Sequence, residues 1–460
     1  MTNATLKLSD VSLDGGLAQL TAAGLTDDAA SRRASNFSRA ANRLVREGLR
    51  GDTAVKAYFV PGRIEVLGKH TDYAGGRSLL AAVERGFSLV AVPRGDSTIR
   101  AFSQGFEPAE FEFSPDLAPP MGEWSNYPMT VARRIARNFP GELRGADLSF
   151  VSDLPVASGM SSSSAMMVTT FFALAGINDL WNRPELLDNV GTERMILAEY
   201  LGTVENGQTF GSLAGDKGVG TFGGSEDHTA MLCCKAGMLS EYSFCPVGFH
   251  RDIALPEDVV FVVGSSGVVA EKTGAAREQF NRASLLTQAV AQVWRDATGR
   301  DDRHMAAALA SSPDALEQMR KALRDTPHAE FSPADLSDRF EQFYAEIAEI
   351  IPAAGDALAA GDMEAFGTLV DRSQELTTTQ LKNQVAETIF LAKTARENGA
   401  LAASAFGAGF GGSVWTLVRR DDADAFIERW SDIYHAAYPQ HAERSAFFAT
   451  RPAPAAMELS

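Results

Sequence analysis

Residues 154–177, LPVASGMSSSSAMMVTTFFALAGI, restrict the fold more than any other part of the chain. A strand-like run, GADLSFVSDLP, leads in. A glycine and four serines follow, and then a helical stretch that is apolar on every side. A helix of that kind has to be buried. The run from Ala165 to Ile177 contains Thr169 and Thr170 and is too short to span a bilayer. It therefore belongs in the core of a folded domain, with the serine loop at its edge. The first N–H groups of such a helix have no intrahelical partners, and its dipole favours an anion there. Gly159 permits close approach of a ligand, and Ser161, Ser162 and Ser163 add hydroxyls. The loop lacks GxxxxGK[ST], so it is not a Walker motif. The same residues would serve equally as a serine cap on a buried helix, and the stretch alone leaves both readings open.

The chain has 460 residues, enough for two or three domains. Residues 1–50 read as a polar helical extension, with Phe37, Ala41, Leu44 and Leu49 near helical spacing and the arginines on a solvated face. Short β-like runs broken by Gly and Pro fill the region up to about Phe113. The texture changes near Leu255, where PEDVVFVVGSS reads as a new buried strand. Mostly helical sequence then extends to about residue 400. These shifts predict one domain at 51–255 and a second at 256–460, with an α+β architecture. DDADAFIERWSDIYHAAY is expected as a closing helix.

The formal net charge of −17 disfavours nucleic acid or an anionic membrane as a partner. Three cysteines without a CxxC pair, and seven histidines without HExxH, argue against a disulfide framework or a zinc site. The start, MTNATLKLSD, lacks a basic segment followed by an apolar core, so no signal peptide is expected and a cytoplasmic location fits.

Two further segments carry chemistry. PGRIEVLGKHTDYAGG (61–76) sets arginine, lysine, histidine and aspartate directly after an apolar strand-like run. FGAGFGGSVW (406–415) is a glycine-rich turn before a strand; no helix follows at once, which disfavours a Rossmann site. In this order and spacing, the two segments and the serine loop resemble the three motifs of the GHMP small-molecule kinases. Within that superfamily HTDYAGG, EWSNYPMTV (123–131) and VENGQTFG (204–211) resemble galactokinases. The resemblance implies a two-domain α+β fold with the active site in the interdomain cleft. It also implies transfer of the ATP γ-phosphoryl group to a sugar hydroxyl, usually the anomeric one, with Mg²⁺.

By the same resemblance Asp227, in GGSEDHTAML, matches the catalytic aspartate of a Gly-x-Met-Asp-Gln motif, and Arg63 would sit beside it. Gly159, Ser161, Ser162 and Ser163 would hold the phosphates, and Trp124 would lie near the adenine. One serine, taken as Ser162, and Glu205 would ligate Mg²⁺. Lys69, His70, Asp72, Gly76 and Phe280 would face the sugar, and Gly409, within 407–412, would close the ATP site. Each has a plainer alternative as a cap, core residue or surface ion pair.

The departures concern the acceptor. The family usually carries Glu at position 69, Asn at 65, Gln at 228 and a tyrosine in place of Phe280. Lysine cannot accept a hydrogen bond. Two expectations follow: Lys69 binds the carboxylate of a galacturonate-type sugar, or it pairs with Glu65 or another acid and the sugar is neutral. A sensor that binds sugar and ATP without turnover is the alternative from another class. The expected assembly is a monomer or weak dimer.

Overall fold

The computed structural model describes residues 6–11, 14–155, 158–268 and 274–460; side chains at 14–15 and 274–280 are outside this description. The chain forms two sheets. The first contains β1 (Lys56–Leu67), β2 (Arg77–Pro93), β3 (Thr98–Ser103), β4 (Ala109–Glu112), β5 (Ala146–Ser152), β6 (Met238–Ser243) and β7 (Gly248–Ala254). The second contains β8 (Val259–Ser265), β9 (Ala402–Phe406), β10 (Ser413–Arg419) and β11 (Ala446–Thr450). A last strand, β12 (Met457–Leu459), returns to the first sheet and pairs with β1. The first sheet runs β12-β1-β2-β5-β3-β4, with β6 and β7 branching from β2; the second runs β11-β8-β10-β9.

The apolar helix forms over Ser162–Ile177 and packs across β1 and β2. Residues 164–175 are all buried. Thr170 is tolerated there because its hydroxyl donates to the Met166 carbonyl one turn back. At its start the helix meets β1 closely: a Cβ on Gly62 would come within 2.7 Å of Leu154 Cδ2 and 3.1 Å of the Met160 carbonyl. Irregularities in the β1–β2 register, between Pro61 and Arg63 and between Glu65 and Leu67, flank two polar side chains of this strand. Such bulges re-aim side chains that strict alternation would place elsewhere.

The N-terminal extension folds as a helix over Asp27–Arg46, capped by Thr26, against β2 and β5. Phe37, Ala41 and Leu44 are buried as their spacing predicts, and Leu49 is half-buried. The arginines are not all on a solvated face. Arg33 is fully buried, donates to the Gly86 carbonyl at 2.9 Å and pairs with Asp153. Burial, with Arg32 and Arg85 nearby, lowers its guanidinium to about 9. A hydrophobic-spacing argument misses this because an arginine can dock a helix through its charge as well as its stem.

The helix Ala423–Ala437 forms, but it does not close the chain; β11 and β12 follow it. Among the described residues, no helix is long and apolar enough to cross a membrane.

Candidate active site

A cavity of about 910 Å³ is lined by residues from 63 to 228, with Gly407 and Ala408 reaching it from the loop between β9 and β10. Its lining includes Phe87, residues 103–106, the segment Met121–Trp124 and Ser161, Ser162 and Ser163 at the N-terminus of helix Ser162–Ile177. Residues of β1, the 70–73 turn, helix Glu226–Cys233 and the 407–408 loop complete it. Trp124 is half-buried, packs against Phe106 with ring centroids 5.9 Å apart, and donates its indole N–H to the Glu107 carbonyl.

Ser161 precedes the helix in a left-handed conformation (φ 56°), and its side chain makes no capping hydrogen bond. This disfavours the plain serine-cap reading, and Ser161, Ser162 and Ser163 place the helix N-terminus on the cavity wall, where an anion site requires it. The glycine-rich loop supports this turn by backbone contact. A Cβ on Gly407 would lie 2.5 Å from the Gly159 carbonyl oxygen, and Ser413 Oγ donates to the Ser158 carbonyl at 2.6 Å. Three non-glycine residues with positive φ fall in the three motif loops: His70 (58°), Ser161 (56°) and Phe410 (56°). Such conformations persist where the surroundings over-determine them, as at binding sites.

Arg63 Nε donates to Asp227 Oδ1 at 2.7 Å, and its Nη1 donates to the Gly159 carbonyl. Burial alone would push the guanidinium down; Asp227, Glu65 and Glu226 hold it above its ordinary value. Asp227 sits in the first turn of helix Glu226–Cys233. Its other oxygen lies 3.4 Å from Ser164 Oγ, which donates to Glu205 Oε2 at 2.7 Å. His228 Nε2 stands 3.3 Å from that same carboxylate oxygen. One polar chain thus links the Gly159 loop, Arg63, Asp227, Ser164 and Glu205.

The 68–73 turn is gripped by the second half of the chain. The Gly68 amide donates to Glu346 Oε1 at 2.8 Å, Gln342 Nε2 to the Lys69 carbonyl at 3.5 Å, and Arg339 to the His70 carbonyl. Glu346 lies in a π-helical turn, Ala345–Ile350, a distortion common at functional sites. His70 Nε2 is 3.1 Å from the Ala408 carbonyl, which can only accept; in the neutral ring Nδ1, 2.7 Å from Tyr73 Oη, accepts from the phenol. Asp72 Oδ2 accepts from the Glu226 amide at 3.2 Å, and this close approach leaves room only for glycine at 224. Burial raises the Asp72 carboxyl, against the pull of those backbone N–H groups.

Comparison with known proteins gives three matches to family models. GHMP kinases C terminal matches residues 355–436, the GHMP kinases N terminal domain matches 126–209, and the galactokinase galactose-binding signature matches 50–93. A galactokinase of Chloroflexus aggregans is 30% identical over 376 residues, covering 80% of this chain and 85% of that one. The chain belongs to the galactokinase family. A second galactokinase, from Chloroflexus aurantiacus, is 29% identical over 386 residues, covering 81% of this chain and 86% of its own. The crystal structure of Lactococcus lactis galactokinase complexed with galactose superposes with a TM-score of 0.73 at 22% identity, over 90% of this chain and 99% of that one. The fold is therefore the α+β fold of that family, and the chain is a galactokinase-type phosphotransferase, an ATP-dependent sugar kinase.

Within this galactokinase-family cavity lie Arg63, His70, Asp72, Trp124, Gly159, Ser161, Ser162, Ser163, Glu205 and Asp227, all expected from sequence. Lys69 is the main correction. It is fully buried and does not line the cavity; its ammonium donates to Ser404 Oγ at 2.7 Å and Ser373 Oγ at 3.2 Å. Burial pushes that amine down, while Glu346, Glu65 and Glu226 hold it up. It is thus compensated by acids, Glu346 foremost, and is not placed to bind a substrate carboxylate. Gly76 also lies off the cavity wall, packed against Thr71, Phe343 and Ile347. Gly409 likewise is off the wall and packs on Asn383, while Gly407 and Ala408 reach the cavity. The Phe280 side chain is outside the described residues.

Sequence reasoning passed over Ser164, Glu226 and Tyr73. Ser164 was the most accessible to inference. It lies two residues beyond Ser162, and the helical rotation turns it from the phosphate loop toward Glu205.

Proposed function

We propose that this enzyme transfers the ATP γ-phosphoryl group to the anomeric hydroxyl of galactose. The observation that carries this reading is the Arg63–Asp227 pair, held in one cavity with the uncapped N-terminus of helix Ser162–Ile177. Asp227 orients the sugar hydroxyl and takes its proton. The hydroxyl oxygen bonds to the γ-phosphorus as the bridging P–O bond breaks, and that electron pair leaves on ADP. Arg63 keeps Asp227 ionised and neutralises negative charge near the transferring group. The N–H groups of the first helical turn, with Ser161, Ser162 and Ser163, hold the phosphates, and Trp124 and Phe106 flank the adenine. His70, Asp72 and Tyr73 border the acceptor.

The donor set fits Mg²⁺. Glu205 supplies a hard carboxylate oxygen and Ser162 a hydroxyl, both on the cavity wall. Among the described residues, no group of three or more His, Cys, Asp or Glu would hold an ion alone. Mg²⁺ commonly uses one or two carboxylates and completes its shell with phosphate oxygens and water. When bound, it neutralises phosphate charge.

The test is ADP release with galactose, paired with phosphorus–proton correlation NMR of the product. A phosphorus coupled to the anomeric proton is expected, and Asp227→Asn should lower kcat by about 10²–10⁴. A product phosphorylated at another hydroxyl, or binding of both ligands without turnover, would overturn the reading.

A further inference from the structure

Two carboxyls without a role in phosphoryl transfer stand in the cavity wall. Glu65, on β1, and Glu226, one residue before Asp227, are 4% and 5% exposed. Each acts on the other's carboxyl, with burial the larger cause for both. Glu226 Oε2 also accepts from Ser78 Oγ at 2.5 Å. Glu65 Oε1, by contrast, has no hydrogen-bond partner among the described residues. A buried oxygen left without a donor is costly, and a ligand N–H or O–H would complete it.

The charges around the pair have one sign bias. Facing it are Arg63 and Lys69 on its own strand side, Asp72 and Tyr73 on the 72–74 turn, and Asp227 on the neighbouring helix. Arg63 is already engaged by Asp227 and the Gly159 carbonyl. The Lys69 ammonium is engaged behind the wall by Ser373 and Ser404. Among the described residues, the wall of the cavity carries Glu65, Asp72, Glu123, Glu205, Glu226 and Asp227 against Arg63 as its one lysine or arginine. Burial raises Glu65 to about 7, and burial with Glu65 and Asp72 adjacent raises Glu226 well above the usual carboxylate range. Among these described residues a sugar acid would meet like charge with no spare cation. A sugar ammonium would supply both donors and counter-charge.

We propose that the Glu65–Glu226 pair determines acceptor specificity, favouring a hexose that carries a protonated amine and rejecting sugar acids. This rests on the sugar-kinase reading above and names the substrate class for the same site.

The test measures kcat/KM for galactose, galactosamine and galacturonate at about pH 6.5, where a sugar amine is largely protonated. It uses the wild type, Glu65→Gln, Glu226→Gln and the double variant. The galactosamine-to-galactose ratio should fall at least about tenfold in each single variant. Galacturonate should be refused by the wild type and gain turnover in the double variant. Ratios within a single preparation cancel any loss of folded protein. An unchanged ratio, or galacturonate used by the wild type as well as galactose, would overturn the proposal. If none of the three sugars is turned over, the kinase reading fails instead. Calorimetric binding of the same sugars to the same variants then decides the role of the carboxyl pair by the same tenfold criterion.

Discussion

Replacing Lys69 by methionine separates a structural lysine from a substrate-binding one. The side chain is 0% exposed and within hydrogen-bonding distance of Ser404 and Ser373. Ser373 in turn donates to both oxygens of Glu346, at 3.0 and 2.9 Å, and Glu346 is itself fully buried. Methionine keeps the length and removes the charge, so Glu346 loses the cation that Ser373 links to it. Removing one partner of a buried charge pair costs about 3–5 kcal/mol. At about 2.1 cal/mol/K per residue, a chain of 460 residues unfolds with an entropy of about 1 kcal/mol/K, so Tm should fall by about 3–5 °C. Glu346→Gln alone should cost a similar amount, because it strands the lysine. The double variant should recover most of the loss, since a neutral pair of similar volume leaves no stranded charge. Calorimetric melts of the four proteins at one pH and salt concentration close the cycle. The ratio of galacturonate to galactose activity should not move in Lys69→Met. A variant that melts within about 1 °C of the wild type while losing acceptor affinity would refute the reasoning and return Lys69 to the substrate.

Two further outcomes are expected. Gly407→Ala introduces a Cβ 2.5 Å from the Gly159 carbonyl at φ +81°, so the two loops must separate; a cost of about 1–3 kcal/mol should raise the KM for ATP about 5- to 150-fold. Initial rates at varied ATP check this, and an unchanged KM would show that the phosphate loop does not depend on the contact. Because Glu65 binds its proton more tightly folded than unfolded, the stability it contributes is full below about 4.5 and is lost as pH rises through about 7. At about 1.4 kcal/mol per unit this is about 3 kcal/mol, so Glu65→Gln should gain about 3 °C on the wild type between pH 5 and pH 8; parallel Tm profiles would contradict it.

The structure also shows how far reasoning along the chain can reach. Loops whose chemistry is local were legible. An apolar helix has to be buried, its first N–H groups have to face something, and the serine loop lies where that argument puts it. Arg63, Asp72 and Asp227 could be named because motif spacing carries their identity. Their company could not be named. Asp227 meets Arg63 across a separation of 164 residues, and Lys69 meets Ser404 across 335. Helical spacing likewise found Phe37 and Leu44 but not the buried Arg33, whose partner Asp153 is 120 residues away.

By itself, then, the sequence determined the strand-to-helix phosphate loop, the kinase motifs and the presence of unusual charges at 65 and 69. These depend on hydrogen-bonding capacity and periodicity within short windows. Only the tertiary structure decided which way those charges point. Lys69 and Glu65 lie on one short segment, yet one turns into the serines and Glu346 of the second half while the other joins Glu226 in the cavity wall. The bulge between Glu65 and Leu67 and the packing of Arg339, Gln342 and Glu346 on the 68–70 backbone set those directions. Side-chain direction in a bulged, doubly packed segment depends on what surrounds it, and those surroundings come from remote parts of the chain.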